Sequence, residues 1–281
     1  MDICIVGLGL IGGSLAKGLK SNGFTGKIIG VESSPQHCTI AMYRGLADKF
    51  MPLGEAVKES DIIILCAPVD TNCRLLPGIL DDISGTVKIV TDMGSIKSDT
   101  AKATCNHPAR GRYVSAHPMA GTEYSGPAAA TDQLFNNKVA IICDPELCDD
   151  DALNLVTALF QSLNMHIQYM NSTEHDIHVA YVSHISHITS FALALSVLDK
   201  EKDEKNILSL AAGGFESTVR LSKSNSDTWA PIFTGNSIPI LEAIDSYIEK
   251  MQLFRKYISE KDAAALRALM KSANSIERIL K

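Results

Sequence analysis

The first half of the chain alternates short unbroken apolar runs with stretches whose apolar residues return every three or four positions. The runs "DICIVG" (2–7), "KIIGVE" (27–32), "DIIILCAP" (61–68), "VKIVTDMGS" (87–95), "YVSAHP" (113–118) and "KVAIIC" (138–143) are rich in β-branched residues. Each is bounded by Gly, Pro or a charged residue, so each is predicted to be a strand. Most are apolar on both faces, as strands covered on two sides must be. Between them lie helical patterns such as "IGGSLAKGLKSNG" (11–23). Strands alternating with helices imply an α/β, doubly wound parallel sheet.

Beyond about residue 170 the strand pattern stops. Residues 172–200, "STEHDIHVAYVSHISHITSFALALSVLDK", read as one long helix, apolar nearly all round, with Ser172 or Thr173 as its N-cap. Such a helix belongs in a bundle or against another subunit. Two more helices are expected at 236–257 and 260–280. The chain therefore divides into an α/β domain, 1–170, and an all-α domain, 171–281.

Composition narrows the choice of partners. The 281 residues are 46% hydrophobic and 21% charged, with a net charge of −6. No Lys/Arg-rich block appears, which argues against nucleic acid. No run of about 18 or more uninterrupted apolar residues occurs, which argues against a membrane span. Asp2 in place of a basic start, and glycines within the first apolar stretch, argue against a signal peptide. The seven cysteines form no CxxC pair, so free buried thiols in a reducing cytoplasm are expected.

Gly7-Leu8-Gly9-Leu10-Ile11-Gly12 follows the first predicted strand and opens a helix. Its glycines permit a tight turn and let the backbone approach a pyrophosphate, which then meets the helix N-terminus. Glu32 ends the next strand about twenty residues later, where an acid accepts hydrogen bonds from the adenosine ribose. A carboxylate there repels a 2′-phosphate, and no arginine follows in "ESSPQH", so NAD is expected rather than NADP.

Ligands of such sheets sit beyond the carboxyl ends of the strands. Three polar loops leave those ends: "CAPVDT" (66–71), with Pro68 counted among the cofactor contacts, "TDMGSIKSD" (91–99) and "AHPMAGTEYSG" (116–126). Asp92 or Ser95 is expected to cap the following helix. His117, fixed before Pro118, is a candidate general base because an imidazole titrates near working pH.

In the run "AYVSHISHITSFALAL" (180–195), Ser183, His187 and Ser190 share one helical stripe with His184 beside it. A stripe of this kind lines a pocket or a buried network. Zinc would need further ligands, and His175, Asp176 and His178 lie two to three turns away, so no metal is expected.

Five segments together resemble the prephenate/arogenate dehydrogenases: "VGLGLIGGSLA", "TDMGSIK", "AHPMAGTEYSG", "SHISH" and "TVRLSKSNSDTWAPIFTGN". The resemblance spans essentially the whole chain and implies a Rossmann-like N-terminal domain, a helical C-terminal domain that makes a homodimer, and a minimal catalytic unit without an attached chorismate mutase or regulatory domain. It implies oxidative decarboxylation of prephenate, or of arogenate, with NAD⁺. It implies His117 as base, Ser95 orienting either that histidine or the ring hydroxyl, His187 on a substrate carboxylate, and Arg220 on the side-chain carboxylate. Glu123 and Trp229 match positions at the pocket, and His184 is left as a packed group. The family's basic-acidic pair before the arginine is replaced here by Glu216-Ser217, so a cationic partner for Glu123 is expected to be missing.

Overall fold

A strand needs both faces covered or one face wet, and the alternation of buried residues shows which applies here. In this computed structural model, which describes residues 1–204 and 206–279, eight strands form one sheet. They are β1 Ile3–Val6, β2 Ile28–Val31, β3 Lys49–Phe50, β4 Ile62–Leu65, β5 Ile89–Asp92, β6 Tyr113–Pro118, β7 Val139–Cys143 and β8 His166–Met170. Their order is β3-β2-β1-β4-β5-β6-β7-β8. Ile3, Ile5, Ile28, Ile62 and Ile64 point into one apolar cluster, and Cys4, Val6, Ile29, Ile63 and Leu65 into the other. Helices therefore cover both faces, and the near-continuous apolar strands follow from that.

The chain runs outward from β1 to β3, then crosses back to β4 on the other side of β1. The strand order reverses there, and a crevice opens beyond the carboxyl ends of β1 and β4. From β1 through β6 all neighbouring pairs are parallel. β7 departs from the expected parallel arrangement, because it runs antiparallel to β6. The 119–138 segment between them has no crossover helix, and a parallel return would need one. Two strands escape the sequence pattern. β3 is only two residues long, and β8, "HIQYM", lies at the sheet edge with most side chains exposed.

The long helix begins one residue earlier than expected. Asn171 is the cap, its side chain accepting from the Glu174 N–H at 2.8 Å, while Ser172 bonds to Asp144 instead. It is not one regular helix. Ser172–Val179 passes into a wide π turn, Ala180–His184, and then into Ile185–Asp203. The wide turn rotates the histidine stripe relative to the helix before it. Of Ile185–Asp203 only Ser190 is buried in the single chain, and Leu193, Leu195 and Leu198 are exposed. By length and hydropathy the stretch Ser172–Asp203 would suffice to cross a membrane. Further helices span Gly213–Val219 and Ser226–Gly235.

The described residues group into two compact units, Met1–Asn236 and Ser237–Lys281. The second holds the helices Ser237–Ser259 and Ala263–Ala273, and residue 280 of the helix expected there lies outside the described residues. The cysteines are all free, but only Cys4 and Cys143 are fully buried, and Cys105 is exposed because its helix, Ser98–Thr104, ends at the surface.

Candidate active site

The glycine loop is built by exclusion. Gly7 has φ +91°, and a Cβ there would stand 2.9 Å from the Ala67 nitrogen and the Cys66 oxygen of the neighbouring strand end. A Cβ on Gly12 would run into the Gly7 carbonyl and Ile5, so only glycine lets the helix Leu10–Ser21 sit this close to β1. Gly9 is different: nothing lies within 4 Å of where its Cβ would be. It occupies the N-cap position with no side-chain cap, so the helix start faces open space. Glu32 braces this loop from the end of β2. Its two oxygens accept the Leu8 N–H and the Ser34 N–H, both at 3.0 Å. Each oxygen keeps a second lone pair for a hydroxyl.

A cleft of about 660 Å³ opens at the switch point. Gly7, Gly9, Leu10, Ile11, Glu32, Pro68, Ser95, Glu123 and Trp229 all line it. Gly12, His117, His187 and Arg220 do not. Gly12 packs beneath Gly7, His187 lies under Trp229, and Arg220 is reached through Glu123. His117 stands on β6, whose continuation, Ala120–Gly126, forms one wall.

Beneath the loop that carries Ser95 lies a buried ion pair. Lys97 Nζ donates to Asp92 Oδ2 at 2.5 Å and to the Ala116 carbonyl at 2.7 Å, with both charged side chains essentially unexposed. Asp92 also accepts from the Tyr113 hydroxyl at 2.7 Å and the Gly94 N–H at 2.9 Å. Burial, with Asp92 alongside, pushes the Tyr113 phenol well above its usual range and keeps it a donor. Neither Asp92 nor Ser95 caps the next helix. That task falls to Asp176, from 78 residues away, whose oxygens accept the Lys97 and Ser98 N–H groups at 2.8 Å. Asp92 is occupied by Lys97, and the Ser95 hydroxyl makes no hydrogen bond among the described residues, to His117 or to anything else.

His117 is buried, and burial, helped by the nearby His175, Lys97 and His184, holds its pKa well below the ordinary histidine range. Its Nδ1 meets His175 Nε2 at 2.8 Å. His187 is stacked on Trp229, ring centroids 3.4 Å apart, and its Nδ1 donates to the Ser183 carbonyl at 3.1 Å. Burial lowers its pKa, and Arg220 lowers it further, while the Ser183 carbonyl opposes both. His184 is a packed group: it is buried, edge-on to Trp229, with Nδ1 accepting from Asn236 at 3.2 Å. Burial brings its pKa down to about 4.

Glu123 does have a cationic partner. It is Arg220 itself, at 2.8 Å, so the replacement of the family's basic-acidic pair by Glu216-Ser217 leaves this pair intact. The Glu123 carboxyl is held below its usual range, first by its own backbone N–H and then by Arg220.

Two family descriptions match adjoining stretches that cover most of this chain: prephenate dehydrogenase, nucleotide-binding domain, over residues 15–169, and prephenate dehydrogenase, dimerization domain, over 171–272. The chain belongs to the prephenate dehydrogenase family. It is 32% identical to the prephenate dehydrogenase of Bacillus subtilis over 276 residues, covering 96% of this chain and 74% of that one. The structure of prephenate dehydrogenase from A. aeolicus with hydroxyphenyl propionate and NAD⁺ superposes with a TM-score of 0.84 at 28% identity, covering 99% of this chain and 98% of that one. Synechocystis arogenate dehydrogenase superposes with a TM-score of 0.76 at 26% identity over the full length of both.

Four residues of this prephenate dehydrogenase family member lay beyond sequence reasoning: Lys97, His175, Asp176 and Asn236. All are buried polar groups. Lys97 sits in the polar loop "TDMGSIKSD", where nothing local marks it as buried, although a lysine is almost never fully buried unless paired. Asp176 and His175 were visible only as remote metal candidates. Among the described residues no group of three or more His, Cys, Asp or Glu is arranged to hold a metal.

Proposed function

We propose that this chain catalyses oxidative decarboxylation of prephenate to 4-hydroxyphenylpyruvate with NAD⁺. The observation that carries this reading is one cleft that joins the glycine loop and Glu32 to Ser95, Glu123 and Trp229. The residues fit the dinucleotide. Open space over Gly9 and an uncapped helix start suit a pyrophosphate, and Glu32 keeps lone pairs for ribose hydroxyls. When bound, NAD⁺ supplies the hydride acceptor.

The chain's own residues do the rest. His117, kept unprotonated by burial, accepts the proton of the ring hydroxyl. Ser95, with no partner inside the protein, orients that hydroxyl. Arg220 exchanges Glu123 for the side-chain carboxylate, which its planar fork can hold in two parallel bonds. His187 receives the ring carboxylate from its stacked position on Trp229. Departure of that carboxylate as CO₂ makes the ring aromatic, so the protein's work is positioning and charge balance.

Arogenate is the second reading. Glu123 beside Arg220 places an acid and a base together, and an amino-acid side chain carries the matching pair of charges. Purified protein is assayed for NADH formation with prephenate and with arogenate. A kcat/KM at least about tenfold higher for prephenate supports the first reading, and the reverse supports the second. No turnover with either would overturn both.

The proposed assembly is a cytoplasmic homodimer. The exposed Leu193, Leu195 and Leu198 support a second copy as the cover of the long helix, and the unpaired cysteines suit a reducing compartment.

A further inference from the structure

A line of buried polar groups runs away from the cleft, from β6 into the helix Ser172–Val179. His117 Nδ1 lies 2.8 Å from His175 Nε2, and His175 Nδ1 lies 2.8 Å from Asp176 Oδ1. Asp176 is anchored in turn by the Lys97 and Ser98 N–H groups. His175 is fully buried, Asp176 is 3% exposed and His117 9%.

The proton positions follow from the far end. Burial alone would raise the Asp176 pKa, but the bonds from His175, Ser98 and Lys97 outweigh it and hold the carboxyl below its usual range. An ionised carboxylate only accepts, so His175 Nδ1 carries a hydrogen. Burial and the Lys97 charge oppose a second proton on His175 and outweigh the pull of Asp176 and Asp92, so the ring is neutral. Its Nε2 is then a lone pair, and a lone pair at 2.8 Å from His117 Nδ1 requires an N–H there. A neutral His117 therefore has its own lone pair on Nε2, which bonds to nothing among the described residues.

We propose that His175 and Asp176 are positioning residues that lock His117 in the Nδ1–H tautomer, with Nε2 presented as the proton acceptor. The inference rests on the proposed role of His117 as base. In the step, the substrate O–H bond breaks and an N–H bond forms at His117 Nε2, with the electron pair left on the substrate oxygen. The positive charge does not stay on one buried ring. His117 Nδ1 can pass its proton across 2.8 Å to His175 Nε2, which places an imidazolium beside ionised Asp176. Lys97 and His184 face the same pair, and both disfavour charge on His117 itself. The relay thus gives a base of depressed pKa somewhere to put the charge. The same Asp176 also fixes the start of the helix that follows Ser95, so one carboxylate holds both polar loops in register.

The test uses His175→Phe, which removes the acceptor, and His175→Gln, whose amide oxygen can replace it. Imidazole ¹⁵N spectra of histidine-labelled protein are recorded without substrate, and the His117 signal is assigned by its loss in His117→Asn. The expected spectrum shows His117 protonated at Nδ1 in the wild type and His175→Gln, and a tautomer mixture in His175→Phe. Turnover is expected to fall roughly 10- to 100-fold in His175→Phe and only a few-fold in His175→Gln, because part of the base's contribution is orientation. KM for substrate and for NAD⁺ should stay within a few-fold in both. The acid limb of the kcat profile should shift in His175→Phe, since the group that faces the His117 imidazolium at Nδ1 is removed. An Nε2–H tautomer in the wild type, or a His175→Phe profile identical to wild type, overturns the proposal. If the wild type turns over neither prephenate nor arogenate, the functional reading fails while the spectra still decide the tautomer.

Discussion

Lys97→Met removes one charge of a buried pair and keeps most of the stem's volume. Lys97 and Asp92 are 0% and 1% exposed, so neither group can recruit water when the other is lost. Breaking such a pair from one side costs about 3–5 kcal/mol, because the remaining charge is left uncompensated. Two local features place this case within that range. Asp92 retains the Tyr113 hydroxyl and the Gly94 N–H, which soften the loss. The Ala116 carbonyl loses its Lys97 donor, which adds about 1 kcal/mol. The expected destabilisation is about 3–4 kcal/mol. Urea unfolding followed by circular dichroism measures it, at one fixed protein concentration so that self-association does not enter. The double variant Lys97→Met with Asp92→Asn should be more stable than the sum of the single changes by about 2 kcal/mol, because it buries no charge. A single-variant cost below about 1 kcal/mol, or strict additivity in the double, would refute the claim that the two buried charges compensate each other.

Three other outcomes follow from the site. With Glu32 proposed as the acidic partner of the ribose, NAD⁺ should be used at least about tenfold better than NADP⁺, a difference near 1.4 kcal/mol, and equal kcat/KM for the two would sink that assignment. His187 donates Nδ1–H to Ser183, so its Nε2 can bind a carboxylate only after taking up a proton, and burial lowers its pKa in the free protein. KM for substrate should therefore rise with pH across roughly pH 6 to 9, and the slope should vanish in His187→Asn; a flat wild-type KM would remove His187 from the substrate. Arg220→Gln should raise KM by roughly 30-fold or more and leave kcat within a few-fold, as loss of a bond equal in ground and transition states does. A severe fall in kcat at unchanged KM would place Arg220 at the reacting end instead.

The sequence by itself determined the local features whose physics is local. Gly7 and Gly12 had to be glycine because the turn after β1 and the close helix leave no room for a Cβ, and their spacing announces that. Glu32 ends β2 at the right interval, and six of eight strands are visible because burial on both faces demands unbroken apolar runs. His117, Ser95 and Arg220 could be named as chemistry, but not given partners. Partnership was a tertiary decision. Asp176 reaches Lys97 and Ser98 across 79 and 78 residues, His175 reaches His117 across 58, and Arg220 reaches Glu123 across 97. No periodicity records such contacts, because a hydrogen bond between distant segments depends on where the sheet brings their ends. The reversed β7, the edge strand β8 and the π turn at Ala180–His184 were hidden for the same reason. Each answers to the neighbours it packs against, and those neighbours exist only in the folded chain.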